Sequence, residues 1–260
     1  MWHDVRMLNA TANSLFGLVV LALVASCLWW VAQRPYFTLE AIRVEGEGHA
    51  ALRHINPLTV RSAVLARIKG NFFTANLDEV RKTFESVPWV HKATVRRSWP
   101  NQLIVTIEEH VPLGTWGDDG RLLSVKGDVF VANLAEAEED AQLLAFNGPD
   151  GSEKEVVARL QDLNRWFAPL RLRAEELNLS DRYAWTVRMN NGVTIELGRE
   201  KTATTLKERA DRLVAAYPQL VALLHDRIEN IDMRYPNGLA LRAQGLNIGT
   251  NGNKKANGKT

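Results

Sequence analysis

The sequence lacks a second cysteine, because Cys27 is the only one among its 260 residues. A disulfide within the chain is therefore impossible, and no pair of thiolates can hold a zinc ion. Cys27 lies in an apolar run, so cysteine usage does not separate an oxidising compartment from a reducing one.

An excess of one charge is also missing. The 32 lysines and arginines nearly balance the 30 aspartates and glutamates, which leaves a formal net charge of +2. Nucleic-acid-binding domains typically carry a clear basic excess on one face. We therefore expect no nucleic-acid partner.

Signatures of catalysis are missing as well. The sequence contains no Gly-x-Ser-x-Gly nucleophile motif, no phosphate-binding glycine loop and no His-Glu-x-x-His. Glu108, Glu109 and His110 are adjacent, and neighbours on a strand point to opposite faces, so these side chains cannot converge on one substrate. We expect a protein that is not an enzyme and that uses no cofactor, metal or small-molecule substrate.

What the sequence does contain is one long uncharged run, Leu15 to Ala32. As a helix this run would extend about 27 Å, close to the thickness of the hydrocarbon core of a bilayer. Trp29 and Trp30 near its end are typical of a membrane interface. The run predicts a single transmembrane helix over residues 15–33.

Three other interpretations of this run fit its residues less well. A buried helix of a soluble protein usually has a polar face, and this run has none. A cleavable signal peptide needs a basic start, whereas only Arg6 precedes the run. The stretch from Val24 to Cys27 resembles a lipoprotein acylation signal, but an apolar segment would then begin the mature protein. The charges on the two sides of the run leave its orientation open.

Residues 37–109 predict a small α+β domain in which two helices cover one face of a three-stranded sheet. The predicted elements are, in order, a strand (37–45), a helix (57–68), a short helix that begins after Asn76 with Leu77, Val80 and Phe84 facing inward, and a hairpin (89–97 and 103–109). In this interpretation Trp89, Trp99 and Trp116 pack in cores or turns, and Phe72 and Phe73 seal the connection between the two helices.

Residues 110–245 predict a mixed α/β domain with a largely antiparallel sheet. Its predicted strands are 113–116, 121–125, 128–132, 177–179, 184–189, 193–197, 228–234 and 239–242. Its predicted helices are 152–166 and 202–216, the second interrupted by Pro218 before an apolar stretch at 220–224. We expect 135–140 to be an acidic loop and 246–260 to be disordered.

The last two predicted strands are joined by Tyr235-Pro236-Asn237-Gly238, a tight-turn signal. Glycine adopts a positive φ without a Cβ clash. If Gly238 does so, Gly238→Val would misalign the hairpin.

Several motifs resemble one known family. The series Phe37-x-Leu39-x-x-Ile42-x-Val44-x-Gly46, Asn71-Phe72-Phe73, Pro88-Trp89-Val90, Ala93-x-Val95-Arg96-Arg97-x-Trp99-Pro100 and Leu103-x-Val105-x-Ile107-Glu108-Glu109 resembles a POTRA domain of the FtsQ/DivIB type. Leu197-Gly198-Arg199 and the stretch from Asp232 to Arg242 look like the β-domain of the same family. Each motif alone is weak, and their occurrence in one order is specific.

The resemblance implies a short cytoplasmic tail (1–14), one membrane crossing (15–33), and a periplasmic POTRA domain (37–109) followed by a β-domain (110–245). It further implies a non-enzymatic protein of the inner membrane and division septum, with FtsB and FtsL as protein partners and a role in controlling septal peptidoglycan synthesis. Other division proteins would bind through the POTRA domain. Ala243 departs from the pattern, because some relatives carry a tryptophan there.

The resemblance and the strand pattern together predict where FtsB binds. The last strand has an edge that no later segment is expected to cover, and an uncovered edge offers main-chain hydrogen bonds to an incoming strand. The predicted contact residues are Arg182, Arg234, Tyr235, Asn237, Gly238, Leu239 and Leu241. The alternative is that Tyr235 and Leu241 are ordinary core residues. Two other classes stay open: a POTRA protein of envelope assembly or secretion, and an envelope enzyme.

Overall fold

The computed structural model describes residues 5–32, 37–39, 41–56, 60, 71–224, 227–236 and 238–243. The chain divides into two compact units, Met1–His110 and Val111–Thr260.

The first helix, α1 (Val5–Ala32), contains the uncharged run. Its apolar span Asn9–Val31 has 23 residues and no buried side chain, which is the length and exposure of a membrane-crossing helix. The helix begins ten residues before the predicted span, at Val5 rather than Leu15.

A three-stranded sheet forms the rest of the first unit. Its strands are β1 (Ala41–Gly46), β2 (Val90–Ser98) and β3 (Gln102–Glu109), in the order β1-β3-β2. The central strand β3 runs parallel to β1 and antiparallel to β2. A short 3-10 helix, Glu47–His49, follows β1. The predicted hairpin is therefore confirmed, whereas the first strand begins at Ala41 instead of residue 37.

Helix α2 (Leu77–Glu85) packs on this sheet. As predicted, the Asn76 side chain caps it by accepting hydrogen bonds from the main-chain N–H groups of Asp78 and Glu79, and Val80 and Phe84 are buried. The helix predicted at 57–68 lies outside the described residues, apart from residue 60.

The second unit contains a nine-stranded sheet in the part of the chain that the structure describes. Its strands are β4 (Pro112–Trp116), β5 (Arg121–Ser124), β6 (Val129–Phe130), β7 (Leu144–Asn147), β8 (Ala174–Leu179), β9 (Ala184–Met189), β10 (Thr194–Arg199), β11 (Ile228–Asp232) and β12 (Ala240–Ala243). The spatial order is β12-β11-β10-β9-β8-β7-β4-β5-β6. Most neighbouring pairs are antiparallel, and β11 with β10, β8 with β7, and β7 with β4 are parallel.

Three helices accompany this sheet: α3 (Leu134–Asp140), α4 (Glu153–Phe167) and α5 (Thr205–Leu224), with a 3-10 turn, Ala168–Leu170, after α4. The parallel pairs β7–β8 and β10–β11 are connected through α4 and α5 respectively, as parallel neighbours require. Both helices contribute buried residues to one core, which also contains Trp185, Val187 and Ile195 from the sheet.

Two predictions about this unit are wrong, and one strand is missing from the prediction. Residues 135–140 form helix α3 rather than a loop, because Asn133 caps its first turn and Ala137 is fully buried. Pro218 lies inside the continuous helix α5. Its ring is exposed, so the carbonyl that loses its N–H partner one turn earlier lies toward the solvent side. Strand β7 was not predicted, since four residues give too short a periodic signal.

Three further predictions concern the C-terminal part of the chain: the conformation of Gly238, the last strand and residues 246–260. Gly238 does not have a positive φ, and a Cβ added there would meet no atom within 4 Å, so the condition for the predicted effect of Gly238→Val is not met. The final strand begins at Ala240, one residue later than predicted. Residues 246–260, predicted to be disordered, lie outside the described residues.

Candidate functional site

The candidate site is the β12 edge of the nine-stranded sheet. Within the described residues β12 pairs only with β11, and it is the terminal strand of the sheet. Ala240, Leu241 and Arg242 are exposed, and Ala243 is half-buried. The other long side of β12 therefore carries main-chain groups that no described strand binds.

The strand register brings distant predicted contacts to one end of the sheet. Arg199 at the end of β10 pairs with Ala184 at the start of β9, and Asp232 at the end of β11 pairs with Ala240 at the start of β12. The β8–β9 turn and the β11–β12 connection consequently lie at the same end. Arg182, exposed in the first of these turns, is on the same end of the sheet as Tyr235.

The apolar predicted contacts differ in burial. Tyr235 has 56% of its surface exposed, and Leu241 has 37% exposed. Leu241 pairs with the fully buried Ile231, so it lies on the helix-covered face of the sheet at its rim. Leu239 is partly buried against the core. Tyr235 is thus a surface residue, whereas Leu239 also has a packing role. Gly238 is exposed, and Asn237 lies outside the described residues.

Arg234 organises the charges beside this edge. Its Nε and Nη2 donate to the two carboxylate oxygens of Asp232 at 2.9 and 2.6 Å, and Nη2 lies 3.2 Å from a carboxylate oxygen of Glu196. The main-chain N–H of Arg234 also donates to Asp232 at 2.9 Å. These hydrogen bonds hold the pKa of the Asp232 carboxyl below its ordinary value, although burial opposes the shift. The same ion pair raises the pKa of Arg234.

A buried arginine, Arg209, supports the same end of the sheet from helix α5. Its Nη1 donates to the main-chain carbonyls of Leu197 and Arg199, the latter at 3.0 Å. Burial, followed by the nearby charge of Arg212, lowers the pKa of Arg209. The spacing of Leu206, Ala210 and Leu213 predicts this buried face of the helix, but no feature of the spacing indicates that a cation lies among them.

Glycine is required where these two arginines meet β10. Gly198 has a φ of +72°, and a Cβ at this position would lie 2.8 Å from Cγ of Arg234 and 3.3 Å from Nη1 of Arg209. The pairing of β10 with β9 shifts register between Glu196 and Gly198, which is a β-bulge. Helix α5 holds the connection beyond β11 as well, because Nη1 of Arg212 donates to the carbonyl of Pro236.

These contacts order the end of the sheet through hydrogen bonds and ion pairs within the domain. Within the described ranges, no group of three or more His, Cys, Asp and Glu side chains is arranged to hold a metal ion. The two arginines bind main-chain carbonyls and carboxylates of their own domain. What this arrangement offers to another molecule is an ordered strand edge with exposed apolar and cationic side chains next to it.

Two family models match the chain. Residues 37–110 match the FtsQ-type POTRA domain, and residues 114–234 match the C-terminal region of the cell division protein FtsQ/DivIB. Of the residues around the β12 edge, Arg182 and Arg234 lie within the second match, and the residues after Arg234 lie beyond it.

Full-length relatives agree with these matches. The chain is 51% identical over 254 residues to the cell division protein FtsQ of Burkholderia pseudomallei, covering 98% of this chain and 99% of that protein. It is 43% identical to the FtsQ protein of Bordetella pertussis, with 93% of this chain and 92% of the relative covered, and 37% identical to that of Nitrosospira multiformis, with 93% and 99% covered. The chain therefore belongs to the FtsQ family of cell division proteins.

Proposed function

We propose that this chain is a non-enzymatic, single-pass scaffold of the division complex that captures a periplasmic segment of FtsB on the β12 edge. The observation that carries the proposal is the terminal position of β12, with Ala240, Leu241 and Arg242 exposed. FtsL would join through the complex with FtsB, and other division proteins would bind the POTRA domain. In this way the chain would help to control septal peptidoglycan synthesis.

Binding by strand addition separates affinity from specificity. An incoming strand would form main-chain hydrogen bonds with β12, which any sequence can supply. Specificity would come from side chains beside the strand: Leu241 and Tyr235 for apolar contact, and Arg182 for a carboxylate of the partner. Arg234 already binds Asp232 and Glu196, so a partner carboxylate there would share its guanidinium with these two groups.

Leu241→Lys tests the edge directly. Leu241 is partly exposed, so the variant should keep its fold, while a lysine at the rim would weaken capture of a soluble FtsB periplasmic segment by roughly ten-fold or more. Tyr235→Ala should act in the same direction. Binding is measured by calorimetry on the full chain in detergent, alongside thermal melting.

Val131→Lys is the matched control, because Val131 is a 70% exposed apolar residue just beyond β6 at the opposite edge. We expect Val131→Lys to bind the segment normally. Leu239→Lys is less informative, since Leu239 packs against the core. If Leu241→Lys and Tyr235→Ala both fold and both capture the segment as the unaltered chain does, the edge is not the binding site.

The proposal also specifies on which side of the membrane each segment would lie. Residues 1–14 would be cytoplasmic, α1 would cross the inner membrane, and the POTRA domain (37–109) and β-domain (110–245) would be periplasmic at the division septum. A reporter that is active only after export should be active when fused after Thr260 and inactive when fused before Met1. The reverse pattern would show that the orientation is wrong.

A further inference from the structure

One surface of the first unit exposes aromatic side chains that contact one another. We define the aromatic patch as Phe37, Phe73 and Trp99. The ring centroid of Phe37 lies 5.0 Å from that of Phe73 and 5.6 Å from that of Trp99. Phe73 is 47% exposed and Trp99 is 67% exposed. The predicted roles, a seal for Phe73 and a packed turn residue for Trp99, therefore do not account for the exposed part of either side chain.

A buried ring and main-chain hydrogen bonds support the patch. Phe72, buried to 7% exposure, lies beneath it and touches Phe73 at 5.2 Å and Trp99 at 5.7 Å between ring centroids. The N–H of Phe72 donates to the carbonyl of Phe37 at 2.9 Å. Arg97 donates from Nε to the carbonyl of Phe72 at 2.7 Å and from Nη2 to that of Ala75 at 2.9 Å. The exposed rings are therefore held in place by main-chain contacts of their neighbours.

The covalent chain keeps the patch close to the membrane. Phe37 is five residues beyond Ala32, the last residue of α1. Five residues extend at most about 18 Å, whatever path they take. The headgroup layer on each side of the hydrocarbon core is roughly 6 Å thick. A patch that contains Phe37 itself is consequently within reach of this layer.

The chemistry of the patch fits that layer. Tryptophan prefers the interface of a bilayer, where its ring meets apolar chains and its N–H meets water or headgroups. The segments that build the patch, residues 37–39, 71–77 and 94–107, contain no aspartate or glutamate but include Arg97. The hydrogen bonds of Arg97 to neutral carbonyls leave its charge available to anionic headgroups.

We propose that the aromatic patch rests in the interfacial layer of the bilayer crossed by α1 and holds the POTRA domain against the membrane. This inference relies on the membrane anchoring in the proposed function and is independent of the β12 edge. The domain would then have two attachments to the membrane, α1 and the patch, so its orientation relative to the bilayer would be restricted.

A depth measurement on the full chain tests the proposal. The chain is placed as one copy per nanodisc of phosphatidylethanolamine and phosphatidylglycerol, and a fluorescent label is attached to Gln102→Cys in a Cys27→Ser background. Gln102 is exposed and lies three residues after Trp99. We expect doxyl-labelled lipid to quench this label several-fold more than a label at Glu47→Cys, an exposed position just after β1 and at the opposite end of the same sheet from Gln102.

Two variants sharpen the test. Phe73→Ser combined with Trp99→Ser should reduce lipid quenching at position 102 to the level at position 47, with thermal melting as the check on folding. Tyr183→Ser is the matched control, because Tyr183 is an aromatic residue with 58% exposure in the second unit. This variant should leave the quenching at position 102 unchanged.

The native cysteine separates failure of this proposal from failure of the anchor. A label on Cys27 in the otherwise unaltered chain should be quenched by doxyl lipid if α1 is in the bilayer. Lipid quenching at Cys27 together with equal lipid quenching at positions 102 and 47 would overturn the patch proposal alone. Absence of lipid quenching at Cys27 would overturn the anchor, and the patch proposal with it.

Discussion

At one edge of the nine-stranded sheet β6 offers two residues, Val129 and Phe130, whereas at the other edge β12 offers four. A short edge strand is a common protection against unwanted pairing. Within the described residues, the β6 edge is thus too short to pair well with another strand, whereas the β12 edge is long enough to do so.

The charged groups near the two edges differ in burial: the ion pair near β6 is exposed, whereas the carboxylate near β12 is buried. Near β6, Asp119 pairs with Arg121 at 2.7 Å, and both side chains are more than a third exposed. Near β12, Asp232 is buried and receives three hydrogen bonds from Arg234. Exposed ion pairs contribute little to stability because water screens them, whereas a buried carboxylate depends on its donors. The β12 edge is thus the more firmly supported of the two edges.

The largest expected effect is at Arg209. Arg209→Met would leave the carbonyls of Leu197 and Arg199 without their charged donor and should lower the free energy of unfolding by about 2–3 kcal/mol. Urea unfolding measures the loss, and amide hydrogen exchange should rise in β10, β11 and β12 more than in β4 and β5. Lys207→Met, on the exposed side of the same helix, is the control. Equal acceleration at both edges would show that Arg209 does not support the β12 side specifically.

A smaller loss is expected at Gly198. Gly198→Ala places a Cβ against Arg234 and forces a left-handed backbone, which should cost about 1–2 kcal/mol. Gly238→Val should change the free energy of unfolding by less than about 0.5 kcal/mol, because that position has open space and no positive φ. Thermal melting of the two variants compares them. Similar melting temperatures would contradict the assignment of strain to Gly198.

The smallest effect is the acid response of Asp232. Its folded pKa is depressed, so the stabilisation is present above the unfolded value of about 3.9 and is lost as the pH falls through the folded pKa. Between about pH 5 and pH 2, Asp232→Asn should therefore lose less stability than the unaltered chain. Asp119→Asn should leave the acid profile unchanged at the resolution of a melting series, because its pair is exposed. Identical profiles for all three proteins would remove the difference between the two edges.

The partner-capture experiment addresses the same comparison at the level of function, since Leu241→Lys and Val131→Lys place one charge at each edge. The depth measurement concerns the first unit and leaves the comparison untouched. Stability, acid response and capture thus examine the β12 edge by three separate properties.

Much of the architecture could be predicted because the signals are local. An uncharged run of 18 residues can hardly fold as anything but an apolar helix, and α1 contains it. The spacing of Leu206, Ala210, Leu213 and Tyr217 predicted the buried face of α5, and all four are buried. Family motifs located the POTRA domain and the C-terminal domain, because those motifs combine strand periodicity with specific turn residues.

Other features depended on contacts that no sequence window contains. Strand β7 exists because β4 and β8 pair with it on both sides, and α3 forms because Ala137 finds a buried position. The sequence determined which segments are apolar and with which period. The tertiary structure decided that Gly198 rather than Gly238 has a positive φ, that Arg209 is buried, and that Trp99 is exposed. The physical reason is that burial and backbone strain depend on which distant segments pack together, whereas periodicity reports only which residues of one segment share a face.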